Sequence, residues 1–115
     1  YIIKSLNECN LAYLHLIQPR AILANLVDHM SEAPDVVEQF KHLFKNSMIV
    51  AGGYDKESAE DAVTSKDIDA VAFGRFFIAN PDLVERFRKD APLNEADSSS
   101  FYGGNEKGYT DYPTL

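Results

Sequence analysis

Apolar positions along the chain follow two spacings that alternate. Leu11-Ala12-Tyr13-Leu14-His15-Leu16-Ile17 is a short, nearly continuous apolar run ended by Pro19, Ser47-Met48-Ile49-Val50-Ala51 is a second that stops at Gly52-Gly53, and Ile68 to Phe73 is a third closed by Gly74. Runs of this length, bounded by glycine or proline, predict strands buried on both faces, as in a parallel sheet. Between them the spacing changes. Ala21 to Met30 places Ile22, Leu23, Leu26, Val27 and Met30 on one helical stripe, and Asp35 to Lys45 does the same with Val36, Val37, Phe40, Leu43 and Phe44. Asp55 predicts the cap of a helix with Ala59, Ala62 and Val63 inward. Asn80-Pro81-Asp82 predicts another, with Asn80 as cap, Pro81 in the first helical position and Leu83, Val84 and Phe87 inward. At the start, Ile2, Ile3 and Leu6 have helical spacing with no cap ahead of them, so Tyr1 to Asn7 reads as a helix cut short. From Pro92 onward periodicity dissolves, and residues 92–115 read as a loop-rich tail.

Alternating buried strands and amphipathic helices demand a parallel sheet with helices outside it. That is either an open doubly wound sheet or a piece of a (β/α)8 TIM barrel, here about three β/α units plus the irregular tail. A full barrel takes about 250 residues, and the chain has 115. Half a barrel leaves strand edges unpaired, so the expectation is a fragment, or a chain that completes itself by association.

Composition narrows the classes. A hydrophobic fraction of 45% and a charged fraction of 25% fit one globular domain. Eighteen acidic against eleven basic residues give a net charge of −7, which disfavours nucleic acid and anionic membrane surfaces. No apolar run approaches the roughly 20 residues that span a bilayer, and the lone Cys9, with no glycosylation sequon, favours a reducing, cytoplasmic setting.

Three constellations carry candidate chemistry. Ala51-Gly52-Gly53 and Phe73-Gly74-Arg75 each follow a predicted strand, where glycine lets backbone N–H groups approach a ligand and arginine adds a charge-assisted contact. A phosphate group fits that chemistry, and in barrels the loops after the last two strands are a frequent phosphate site. The alternative is that the glycines only make tight turns and Arg75 is a surface or ion-paired residue. In the tail, Phe101, Tyr102, Tyr109 and Tyr112 are interleaved with glycines, and such rings either cover a planar ligand or pack on the domain. His15, alternating onto the face of Tyr13 and Ile17, reads as a core histidine. Arg20 lies at the strand's C-terminal end, where barrel sites are built, either facing an anionic or carbonyl group or making a surface ion pair. His29 and His42 lack partners at metal-ligand spacing, so no metal is expected. Asp67 and Asp69 read as a solvated turn.

Several segments together closely resemble the C-terminal part of the old yellow enzyme family. They are Ala51-Gly52-Gly53, the run from Asp69 through Gly74-Arg75 and Asn80-Pro81-Asp82 to Val84, Pro92-Leu93-Asn94, Phe101-Tyr102-Gly103-Gly104, and Gly108-Tyr109-Thr110-Asp111-Tyr112-Pro113. Tyr13 to Arg20 resembles the sixth-strand segment of the plant 12-oxophytodienoate reductases in that family. The resemblance implies that residues 1–115 are the C-terminal fragment of an FMN-binding TIM barrel. Its complete form would be an ene-reductase that takes hydride from NADPH and delivers it to the β-carbon of an α,β-unsaturated carbonyl compound. It implies that Gly52, Gly53, Gly74 and Arg75 hold the FMN phosphate and that Phe101 lies near the flavin ring edge. Tyr102 and Arg20 would then contact substrate. It assigns no catalytic residue to this chain, because the family's tyrosine proton donor and its pair of carbonyl-holding side chains belong to the first half of the barrel. Two other readings stay open: a phosphate-binding barrel piece acting on a phosphorylated metabolite, and a flavin-free half-barrel that serves as an association module or remnant.

Overall fold

The structure is a computed structural model that describes residues 1–19, 34–102 and 105–115. The predicted helix over 21–30 and the expectations for Arg20, His29, Gly103 and Gly104 lie outside the described residues. The chain divides into two compact units, Tyr1–Ala72 and Phe73–Leu115.

In the first unit α1 (Ile2–Leu6) precedes a 3-10 turn at Asn7–Cys9 and β1 (Tyr13–Ile17). After these come α2 (Val36–Phe40), which runs into a 3-10 turn at Lys41–Leu43, then β2 (Ser47–Ala51), α3 (Lys56–Thr64) and β3 (Ala70–Ala72). The strands are parallel in the order β1-β2-β3, with Tyr13 opposite Ser47, and Ala51 opposite both Ile17 and Ala72. The sheet is not closed among the described residues, so the architecture is a partial α/β barrel of three parallel strands with alternating helices.

Period-two alternation sends Leu14, Leu16, Met48, Val50 and Val71 to one face, where they meet Val36, Phe44 and Ile68 in the core. Met48 and Val50 are fully buried, which stabilises the sheet by about 1.5–3 kcal/mol for each. Local polar bonds set the register of these elements. Asp35 caps α2 by accepting from the Val37 amide at 2.7 Å, and the Val36 amide donates to Gln18 Oε1 at 3.2 Å. Asp55 and Ser58 form a reciprocal capping box on α3. Asp67 and Asp69 are exposed in the turn before β3, as expected, and Asp69 also has a structural role. Its carboxylate accepts from the Met48 amide at 2.8 Å and its own amide donates to the Met48 carbonyl at 3.0 Å, fixing β3 against β2.

The other sheet face corrects two expectations. Tyr13 is 54% exposed, Ile17 50%, and His15 between them is exposed as well. β1 is therefore buried on one face, and His15 is not a core residue. The reason is coverage: α1, α2 and the core cluster lie against the Leu14 and Leu16 side, and no described element of this unit covers the opposite side. Val63, expected inward on α3, is likewise 40% exposed, because Ala59 and Ala62 already fill the inner stripe of a short helix.

The second unit holds α4 (Arg75–Ala79), α5 (Leu83–Lys89) and a 3-10 turn at Ser98–Ser100 within the loop-rich remainder. Phe73 stacks on Phe76 with centroids 5.9 Å apart and meets the Phe87 ring edge at 5.5 Å. α4 was not expected, and it displaces the predicted helix start. Asn80 closes α4, its amide and its side-chain Nδ2 both donating to the Phe76 carbonyl at 2.9 Å. It is thus spent on the preceding helix, and α5 begins after Asp82 rather than after Asn80. Leu83 is buried and Val84 is 51% exposed, so only one of these adjacent positions turns inward.

Candidate functional site

β2 and β3 run parallel and end at paired residues, Ala51 and Ala72, so the chain leaves both strands at the same edge of the sheet. Gly52 and Gly53 follow the first exit with φ of 103° and 73°. Both angles lie in the region that side chains with a Cβ resist, so these glycines are required by the turn itself. The turn delivers the chain to Asp55, whose carboxylate caps α3. The Ser58 hydroxyl and amide hold that carboxyl below the usual carboxylate range.

Gly74 follows the second exit and differs in kind. Its φ is −92°, which any residue adopts, and a Cβ built on it meets no atom within 4 Å. Neither backbone conformation nor packing among the described residues calls for glycine there, and no described atom fills the space before its backbone. Arg75 begins α4 and is exposed, and its guanidinium pairs with no other described residue. A cation in the first turn opposes the helix dipole, so Arg75 does nothing for the helix it opens. Open space in front of a glycine backbone and an unpaired guanidinium on the next residue are together chemically suited to an oxyanion.

In the tail, Phe101 is half-buried and Tyr102 is 95% exposed, their rings meeting edge-on at 6.4 Å. Gly108 is buried with φ of 76°, and a Cβ there would stand 2.1 Å from Ser100 Oγ. That close approach ties residue 108 to the turn just before Phe101. A cavity of about 500 Å³ lies in the tail, lined by described residues that include Asp97, Lys107, Asp111 and Tyr112; of the tail rings singled out from the sequence Tyr112 lines it, and Phe101 and Tyr102 do not. Arg20 lies outside the described residues. Among the described residues no group of three or more His, Cys, Asp or Glu could hold a metal ion, and no helix is long and apolar enough to cross a membrane.

A residue that the motifs did not single out, Arg86, organises this unit. Arg86 is 4% exposed and donates to Asp82 Oδ1 at 2.7 Å, to the Pro92 carbonyl at 2.6 Å and to the Pro113 carbonyl at 2.9 Å. The i,i+4 spacing of Asp82 and Arg86 was the only sequence signal for this junction.

Residues 2–94 match the family described as NADH:flavin oxidoreductase / NADH oxidase. The chain belongs to the NADH:flavin oxidoreductase family. It is 40% identical over 116 residues to 12-oxophytodienoate reductase 2 of Arabidopsis thaliana, covering 100% of this chain and 30% of that protein. It is also 40% identical to putative 12-oxophytodienoate reductase 11 of Oryza sativa subsp. japonica, covering 100% and 31%. Among solved structures, morphinone reductase in complex with tetrahydroNAD superposes with a TM-score of 0.80 at 46% identity, over 100% of this chain and 29% of that one. The old yellow enzyme from Trypanosoma cruzi superposes with a TM-score of 0.85 at 38% identity, over 98% and 28%. The chain thus spans about 30% of the length of the relatives it matches. The NADH:flavin oxidoreductase match ends at residue 94, whereas the plant relatives align through the aromatic tail as well.

Proposed function

We propose that this chain supplies the FMN-phosphate side of an ene-reductase, an enzyme that reduces the C=C bond of α,β-unsaturated carbonyl compounds with NADPH as hydride donor. The observation that carries the reading is Gly74, a glycine with open space before it and no conformational need to be glycine. Membership of a flavin oxidoreductase family supports reading that space as room for a flavin phosphate. Gly52 and Gly53 would offer loop amides to the phosphate, Gly74 would let it approach the backbone, and Arg75 would neutralise it. When bound, FMN supplies a ring that accepts hydride from the nicotinamide and donates it to the enone. Phe101 would shield the edge of that ring, while Tyr102 and Arg20 would contact the substrate. No residue of this chain is assigned a catalytic proton transfer. A relative with tetrahydroNAD bound supports a nicotinamide donor.

The test is a fluorescence titration of the chain with FMN, with riboflavin as the ring without the phosphate. Saturable quenching by FMN is expected, weakened roughly 10- to 100-fold in Arg75→Ala, in line with loss of one charge-assisted contact. Equal response of wild type and variant, or no response to FMN, overturns the assignment. Preference for a sugar phosphate over FMN would instead favour a phosphorylated metabolite.

One observation favours a second reading, an association module. The Tyr13, His15 and Ile17 face is open, and a concentration-dependent dimer in solution would support it.

A further inference from the structure

The end of α4 and the two ends of the tail loop are joined by two asparagine side chains, Asn80 buried and Asn94 half-buried. Asn80 is fully buried. Its Oδ1 accepts from the Asn94 amide at 2.7 Å and its Nδ2 reaches the Asn94 carbonyl at 3.3 Å, so one side chain pairs with both main-chain groups of a residue far along the chain. Asn94 returns the contact. Its Nδ2 donates to the Ala79 carbonyl, which is the last residue of α4, and to the Pro113 carbonyl, both at 2.8 Å. The Pro113 oxygen also accepts from Arg86 at 2.9 Å, so both of its lone pairs are used. Residues 92–94 and 113–115 are thereby held together, and the intervening loop carries Phe101 and Tyr102. Within the loop the Asp97 amide donates to the Tyr112 hydroxyl at 2.8 Å.

α4 is five residues long, fewer than two helical turns. Its first residue is Arg75 and its last is the one Asn94 grips. We propose that Asn94 is a positioning residue that makes α4 and the tail loop a single cooperative unit. By this means the aromatic pair Phe101 and Tyr102 is fixed relative to Gly74 and Arg75. The link to the flavin rests on the function proposed above; the mechanical coupling does not. One side chain suffices because its Nδ2 bridges the end of α4 and the far end of the loop. Without Nδ2 the Ala79 and Pro113 carbonyls each lose a donor, and separating the loop ends becomes the cheaper way to satisfy them.

Hydrogen exchange on the whole chain tests this in Asn94→Asp, which keeps the side-chain shape and turns the donor into an acceptor facing two carbonyls. Without ligand, exchange is expected to rise roughly tenfold, together, at Ile78 and Asn80 and across residues 97–112, with the β2 amides unchanged as the control for folding. Asn94→Ala keeps both main-chain groups that bond Asn80 and removes the Nδ2 donations without adding a new donor, and it gives the same readout if the aspartate variant does not fold. Faster exchange in the tail alone, with α4 unchanged, overturns the proposal. Adding FMN gives the second readout. Wild type is expected to gain protection at α4 and in the tail, and the variants only at α4; tail protection that persists in both variants overturns the positioning role. If FMN protects nothing in wild type while the ligand-free changes occur together, the flavin reading fails and the coupling stands.

Discussion

Asp82 and Arg86 stand one helical turn apart and meet through Oδ1 and Nε at 2.7 Å, with the second Asp82 oxygen accepting from the Leu115 amide at 2.7 Å. Through this pair the C-terminal residues are tied to α5. The neighbouring contacts of Glu85 with Arg88 and Lys89 are exposed and hold nothing else, and pairs of that kind contribute little. Replacing Arg86 by methionine keeps the apolar stem, strips the Pro92 carbonyl of its Arg86 donor and leaves the Pro113 carbonyl with one donor of two, Asn94. The expected loss is about 2–4 kcal/mol in urea unfolding, with hydrogen exchange rising across residues 92–115. A change as small as that of Arg88→Met would contradict the junction.

Acid should loosen the same region and the contact of Asp69 with β2. Hydrogen bonding from Arg86 holds the Asp82 carboxyl below its usual range. The Ser99 hydroxyl and amide do so for Asp97, the Met48 amide followed by Lys41 for Asp69, and Lys89 for Glu85. A folded-state value below the unfolded one means stability that is fully present above the unfolded value and lost progressively as pH falls from there through the folded value. With unfolded aspartates near ~3.9, Tm is expected to stay level from pH 7 to about pH 5 and to drop below about pH 4. Asp82→Asn should shallow that drop. A Tm that rises between pH 5 and pH 3 would contradict the sign.

Two glycines predict opposite outcomes for the same substitution. Gly108→Ala places a Cβ 2.1 Å from Ser100 Oγ and 2.5 Å from Ser100 Cβ at a φ of 76°, and is expected to destabilise by about 1–3 kcal/mol. Adding Ser100→Gly removes the clash and leaves the backbone strain, so only partial recovery follows. Gly74→Ala meets nothing within 4 Å and should change stability by less than about 0.5 kcal/mol. Yet it should weaken FMN quenching roughly tenfold, because the new methyl group occupies the space the phosphate would need. Undiminished FMN affinity in Gly74→Ala would remove the main support for the phosphate site.

What the sequence could show depended on how far each interaction reaches. Ser47 to Ala51 reads as a strand from glycine punctuation alone, and Asp55 reads as a cap because its partner, Ser58, is three residues away. The C-terminal segment fails where the deciding partner is distant. Asn80-Pro81-Asp82 has the chemistry of a helix start, but Asn94, fourteen positions on, claims Asn80 for the end of α4. α4 itself is five residues long, too short for a periodic signal. His15 shows another limit: alternation gives its face correctly, and burial depends on what covers that face. The candidate site was legible as the types and order of Gly52, Gly53, Gly74 and Arg75, whereas the contrast between glycines the backbone needs and one it does not appears only in the structure.

The exposed sheet face gives a final prediction, because its two sides should respond differently to the loss of apolar surface. Val50 is fully buried, and Ile17, on the adjacent strand and the opposite side, is 50% exposed. Val50→Ala is expected to lower stability by about 1–3 kcal/mol through lost burial and an unfilled cavity. Ile17→Ser should stay within about 0.5 kcal/mol when measured on dilute protein. If chains associate through the Tyr13 and Ile17 face, the second value grows with protein concentration, because association stabilises the folded form by mass action. Unfolding at two concentrations a hundredfold apart, with mass measured by light scattering, separates the cases. A concentration-independent small effect of Ile17→Ser leaves the face solvent-exposed in the isolated chain, while a large effect that disappears on dilution shows that another copy covers it.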